Sequence, residues 1–242
     1  MIIGEIRDII RYPIKSFQGE SVQHTTIESY GLYGDRSHAF LDQTRPGKFL
    51  TATQLPEMVA YRARFDGADS MERFPDVMVT APDGAIYRWG EAALQERLEA
   101  ASSRELAAIQ YAPQHVPVGA IEEEHLLLTT DASLAKLAEL WGNAVDYRRF
   151  RPNLCISLYD SIPFVEEAWF GRRLLIGEAE IVMKRHCERC MIITIDPDTG
   201  VCTPSLLKTI AQQRDNHFGV YASVHRTGKI STGDKIYLIE DM

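Results

Sequence analysis

Apolar residues near the N-terminus fall at Ile3, Ile6 and Ile9 with charged residues between them, and the run stops at Tyr12-Pro13. That pattern predicts a strand leading into a bend, because a proline holds the preceding residue extended. Lys15 and Ser16 then fall on a loop, and a second strand is expected over Ser21–Glu28. In YGLYGDRSHAFLD, residues 30–42, two glycines precede Asp35-Arg36 and an apolar alternation follows, which reads as a turn feeding another strand. Further on, Leu94 and Leu98 share one face opposite Glu91, Glu96 and Arg97, the mark of an amphipathic helix that begins near Gly90. Residues 111–124 contain Pro113, Pro117 and Gly119 before an acidic run and read as a linker.

After that linker the periodicity sharpens. Thr130-Asp131 precedes a stretch in which Leu134, Leu137, Leu140 and Trp141 line one face and Gly142 stands as the stop, so a capped helix is expected. Strands are expected over Leu154–Leu158, Leu174–Ile176, Glu180–Lys184, Met191–Ile195, Val220–Arg226 and Lys235–Ile239, with a short helix over 204–214. Short strands parted by glycine turns, with a few helices added, predict a mainly β (α+β) architecture partly closed into a barrel. A Rossmann reading lacks its glycine-rich phosphate loop, since GLYG at 31–34 is a turn.

Composition narrows the class. The 242 residues suffice for one large domain or two ordinary ones, and two are favoured. The net charge of −8 argues against a broad nucleic-acid or anionic-membrane surface, which needs many unpaired cations. No apolar signal core or membrane-length run occurs, so a cytoplasmic location is expected. Four cysteines, Cys155, Cys187, Cys190 and Cys202, are too few for a disulfide framework. Cys155, inside NLCISLY, reads as a small core residue.

The chemistry concentrates in RHCERCMIITIDPDTG, residues 185–200. Cys187-Glu-Arg-Cys190 is open to three readings. A structural zinc site needs four ligands, and neither a second Cys pair nor a His pair accompanies this one. A thioredoxin-like pair needs a helix N-terminus, whereas MIITI reads as strand. A single reactive sulfur at a strand end needs only nearby cations, and Arg185 and Arg189 are adjacent. Elsewhere Arg151-Pro152-Asn153 places a five-donor fork and an amide around a stiff link, suited to an anion or heterocycle. Lys15-Ser16 and Arg36 are either solvated loop residues or a phosphate clamp assembled from two loops. Asp196 is open to two roles, relaying protons near the site or holding the DPDTG turn, and the turn is favoured.

Together these pieces resemble one family. Tyr12-Pro13-Ile14-Lys15-Ser16, Gly34-Asp35-Arg36, Arg151-Pro152-Asn153, Leu175-Ile176-Gly177, Cys187-Glu-Arg-Cys190 with its DPDTG turn, Phe218-Gly-Val-Tyr221 and Gly228–Asp234 occur in the order seen in MOSC proteins. The branch that matches best contains the mitochondrial amidoxime-reducing component and its bacterial relatives. The resemblance implies an N-terminal β-barrel-like MOSC domain over residues 1–120 and the MOSC domain proper, also a β-barrel, over 121–242. It implies molybdenum–molybdopterin as cofactor, with Cys190 the metal ligand and catalytic residue. Lys15, Ser16 and Arg36 match positions that hold the pterin phosphate, and Arg151, Asn153, Arg189 and Tyr221 match further cofactor contacts. Thr130 and Ser133 are weaker candidates whose other role is helix capping. Glu188 departs from the small or polar residue that relatives often carry.

The activity so implied is reduction of small N-hydroxylated substrates, with electrons from a separate ferredoxin-, flavin- or cytochrome b5-type carrier protein, since no iron–sulfur domain is seen. No residue set suited to pyridoxal phosphate is seen either. Two rivals stand beside it: a sulfur carrier using a persulfide on Cys190, and a non-catalytic zinc or partner-binding module.

Overall fold

The N-terminal alternation forms a ten-residue strand, Ile2–Arg11, in the computed structural model, which describes residues 1–239. Its side chains Ile3, Ile6 and Ile9 are buried. The strand pairs antiparallel with Leu154–Leu158 on one side and Lys235–Ile239 on the other. Between those partners the ladder runs through Leu126–Thr130, His217–Arg226, Ala179–Glu188 and Arg173–Ile176, so the first strand closes a seven-stranded barrel. Closure is complete where the sequence pattern promised a partial barrel. The interior is aliphatic, with Leu128, Ile156, Ile181 and Ile236 almost wholly buried.

One ladder of the barrel is parallel. Leu126–Thr130 runs alongside Leu154–Leu158, and the helix Asp131–Trp141 makes the crossover. The Thr130 hydroxyl accepts from the Ser133 backbone N–H, and Gly142 at φ 75° ends the helix.

Most of the chain between Tyr33 and Ile121 builds a second lobe around rings. Phe17, Tyr33, Phe40, Tyr61, Phe65 and Phe74 pack with Leu94 and Leu98 from the helix Ala92–Ser102. Phe65 and Phe74 stack at 5.8 Å, and Phe17 tilts on Tyr61 at 5.2 Å. Small sheets surround this core, among them His38–Asp42 between Leu106–Gln110 and Lys48–Phe49.

Three segments differ from expectation. The strand foreseen over 21–28 is two, Glu20–Val22 on the barrel's first strand and His24–Glu28 on Gly228–Ser231. The linker carries a helical turn, Val118–Ile121, with Ala120 and Ile121 buried. Met191–Thr194 is a 3-10 turn rather than a strand. The preceding strand runs on to Glu188, opposite His217, where its partner begins. Beyond that pair, the Arg189 N–H donates to Asn216 and the Asn216 amide donates back to Arg189, so no ladder is left to extend. Among the described residues no helix is long and apolar enough to cross a membrane.

Candidate functional site

The barrel's first strand ends at Tyr12-Pro13, and the next residues turn back over the seam between barrel and aromatic lobe. There a cleft of about 220 Å³ is lined by Lys15, Ser16 and Arg36 from one side, and by Arg151, Asn153, Arg189, Cys190 and Tyr221 from the other. All eight residues singled out by sequence thus border one cavity. All but Tyr221, which projects from the strand His217–Arg226, come from turns or element ends. Ser16, Arg36 and Arg151 adopt left-handed backbone, with φ of 70°, 49° and 56°, a conformation disfavoured outside glycine.

The floor is cationic. Arg36 and Arg151 both stack on the Tyr12 ring, at 4.4 and 4.3 Å from its centre. Asp35, wholly buried, accepts from the Tyr12 N–H at 2.8 Å and the Asn153 amide at 3.0 Å, and also pairs with Arg36. Burial works most strongly against the Arg36 charge, but Asp35, Glu122 and Tyr12 together outweigh it and keep Arg36 above its ordinary value. Arg151 has no such acid in contact; burial, with Arg36 beside it, brings it down to about 10. Burial also lowers Lys15, which donates to the Ala120 carbonyl at 2.9 Å and lies 3.4 Å from Glu122.

The donors are incompletely used. Arg36 Nε, Arg151 Nη2 and Arg189 Nε are buried and have no hydrogen-bond partner among the described residues, a condition that costs about 1–3 kcal/mol per group. Three unanswered guanidinium donors around one cavity suit a ligand rich in acceptor oxygens, such as a phosphate ester. Ser16 accepts from the Ala52 N–H at 3.1 Å, which leaves its own proton free to donate. Asn153 is satisfied within the protein, its carbonyl accepting from Leu127 N–H at 3.0 Å and its amide donating to Asp35. It therefore fixes the wall rather than offering a donor.

The two cysteines of the motif differ in surroundings. Cys187 is buried with Leu127 and Tyr221, and Arg189 donates to its sulfur at 2.6 Å. Burial, with Cys187 alongside, raises the Tyr221 phenol. Cys190 is exposed and borders the cleft, with Glu188 beside it. The cations expected to serve Cys190 are engaged elsewhere, Arg189 on Cys187 and Phe150 and Arg185 on Glu123. Among the described residues no group of three His, Cys, Asp or Glu side chains could hold a metal ion, so the zinc-module reading finds no ligand set.

Thr130 and Ser133 do not join the cleft. Ser133 donates to the buried Glu166 carboxylate at 2.7 Å and Thr130 to its other oxygen at 3.2 Å, so the helix N-terminus is already filled by an internal acid. Asp196 accepts from Thr199 N–H at 3.0 Å and from Arg149 at 2.9 Å, the work of a turn. Cys155 is buried, and desolvation pushes its thiol up to about 11. Sequence reasoning passed over Tyr12, Asp35 and Glu122. Tyr12 and Asp35 sit inside quoted motifs, yet only the meeting of residues 12, 35, 36 and 151 reveals one ring shared by two guanidiniums, with an acid bonded to Arg36.

The model of the MOSC N-terminal beta barrel domain matches residues 3–114, and that of the MOSC domain matches residues 108–237. Human mitochondrial amidoxime-reducing component 1 is 26% identical over 98% of this chain and 83% of its own length. Rat mitochondrial amidoxime reducing component 2 is 25% identical over 99% and 84%. The molybdenum cofactor sulfurase of Oryza sativa subsp. japonica is 27% identical over 86% of this chain, which spans 31% of that protein. Among solved structures, the YUAD protein of Bacillus subtilis superposes with a TM-score of 0.52 at 14% identity, over 97% of this chain and 94% of that one. With a domain model matched over each half and the barrel closed by its own first strand, the chain belongs to the MOSC family.

Proposed function

We propose that the chain is a cytoplasmic oxidoreductase that binds molybdenum–molybdopterin in this cleft and reduces N-hydroxylated small molecules with electrons from a separate carrier protein. The observation that carries the reading is the set of three buried guanidinium donors without acceptors around a cavity bordered by an exposed thiol. That donor set fits the group. Lys15, Ser16 and Arg36 would hold its phosphate, Arg151 and Arg189 its other acceptors, and Tyr221 and Asn153 would shape the wall. Cys190 offers a soft sulfur to the metal. When bound, the cofactor would supply two electrons to an N–OH group, so that the N–O bond breaks, the hydroxyl takes one proton and leaves as water, and the nitrogen takes a second to give the amine or imine. The amidoxime-reducing relatives support this substrate class, and they span nearly the whole chain.

Expression in a host able to make molybdopterin tests the reading. The purified protein should carry stoichiometric molybdenum and pterin and reduce an aromatic amidoxime with a reduced viologen dye. Cys190→Ser should lose the metal and keep folding, whereas Cys187→Ser should retain it. A second reading draws on the exposure of Cys190 and on the sulfurase relative: a sulfur carrier with a persulfide on Cys190. Cyanide-labile sulfur on Cys190 without molybdenum would replace the first reading with the second.

A further inference from the structure

Glu122 stands where no cofactor contact is expected. It follows the one-turn helix Val118–Ile121, whose Ala120 and Ile121 are buried and whose Ala120 carbonyl accepts from Lys15 at 2.9 Å. From this strap the Glu122 carboxylate turns into the cationic cleft and reaches Lys15 Nζ at 3.4 Å. Its side chain keeps 48% of its surface in water. Desolvation pushes its carboxyl up, but Lys15, then Arg36 and Arg151, hold it below the ordinary value, so it is ionised at neutral pH.

A single carboxylate fills the place poorly. It meets one ammonium at long range and leaves Arg36 Nε, Arg151 Nη2 and Arg189 Nε unanswered. A phosphate group brings more acceptor oxygens and up to two charges, and it would repel a carboxylate already beside Lys15. Glu123 and Glu124 on the same strap are tied instead to Arg185, at 2.8 and 3.6 Å.

We propose that Glu122 is an internal stand-in for the phosphate: it partly neutralises the cleft before loading, and an entering anion displaces its carboxylate outward into solvent, while Ala120 and Ile121 stay packed in the core. The inference rests on the anion-cleft reading above, and it adds that loading is a competition between two anions for Lys15. Because half of the Glu122 side chain is solvated, the displaced carboxylate has water to move into.

The test uses the full chain made in a host that cannot synthesise molybdopterin, with inorganic phosphate as probe and calorimetry as readout. Glu122→Gln should bind phosphate about tenfold tighter than the parent. Glu122→Asp, whose carboxylate is withdrawn, should fall between them. Glu123→Gln should change affinity less than about twofold. Unchanged affinity in Glu122→Gln, or equal tightening in Glu123→Gln, overturns the stand-in. Arg36→Ala separates the two readings. If it binds phosphate as the parent does, the anion cleft itself is refuted; if it loses binding while Glu122→Gln gains none, only the role of Glu122 falls.

Discussion

Arg151 illustrates how much the cleft asks of single residues. Its backbone is left-handed at φ 56°, the residue is 8% exposed, Nη2 has no partner among the described residues, and Arg36 shares the same Tyr12 ring. A non-glycine residue in that backbone region stores about 1–3 kcal/mol. Glycine relieves the strain at some cost in unfolded-chain entropy, and it removes a cation crowded by another. Arg151→Gly should therefore leave the ligand-free protein within about 3 °C of the parent melting temperature, or above it. Phosphate affinity should nevertheless fall by about tenfold or more, through loss of charge-assisted donors. A large drop in melting temperature would mean that the arginine is kept for the fold and not for a ligand. At this scale the cations were legible because each sits in a short motif beside Pro or Gly. Tyr12, Asp35 and Glu122 were not, because their roles exist only in contacts across 23, 118 and 107 positions of the chain. No periodicity encodes such contacts.

At the scale of elements, the helices were read well because caps and stops are local: Thr130 and Gly142 bracket Asp131–Trp141 with hydrogen bonds made inside the helix itself. MIITI misled because a β-branched run records apolar burial without saying what it pairs with; Ile193 and Ile195 are buried, but the neighbouring strand has already ended. The middle strand of a small sheet, His38–Asp42, carries a pH signature. His38 is buried against Phe65, Phe74 and Trp89, and desolvation lowers it from 6.5 to about 4. Asp42 closes the strand. Desolvation there would raise its pKa, but bonds from Thr44 and Arg45, with the charge of Arg104, bring it from 3.8 to about 2. Both folded values lie below the unfolded ones, so each group contributes stability at neutral pH that disappears on acidification. The His38 share should go between pH 6.5 and about 4, and the Asp42 share between 3.8 and about 2. Urea midpoints followed down the acid limb should show His38→Gln flattening the first window and Asp42→Asn the second. If neither variant alters the slope, these groups do not link protons to folding.

The whole molecule depends on a strand far in sequence from those it joins. Ile2–Arg11 pairs with residues 154–158 and 235–239, and it hands the chain directly to Tyr12, Lys15 and Ser16. The same strand therefore closes the barrel and aims the cleft. Alternating apolar residues announced a strand but named no partner, since pairing across 150 positions leaves no local trace. Gly4 is where the closure is tightest. It faces Leu158 on one side and Ile236 on the other, and a Cβ there would come within 2.2 Å of the Ser157 carbonyl oxygen. The obstacle is backbone held in a ladder, so it cannot rotate away as a side chain would. Gly4→Ala should destabilise the fold by about 2 kcal/mol or more, lowering the melting temperature by about 4–8 °C. Gly119, whose added Cβ would meet nothing within 4 Å, supplies the control: Gly119→Ala should be neutral or slightly stabilising. Because the strand also positions Lys15, Gly4→Ala should weaken phosphate binding at temperatures where the protein is still folded, with no charge altered. Loss of stability with full phosphate affinity would show that barrel closure and cleft geometry are separable, and that the seam is held by the aromatic lobe instead.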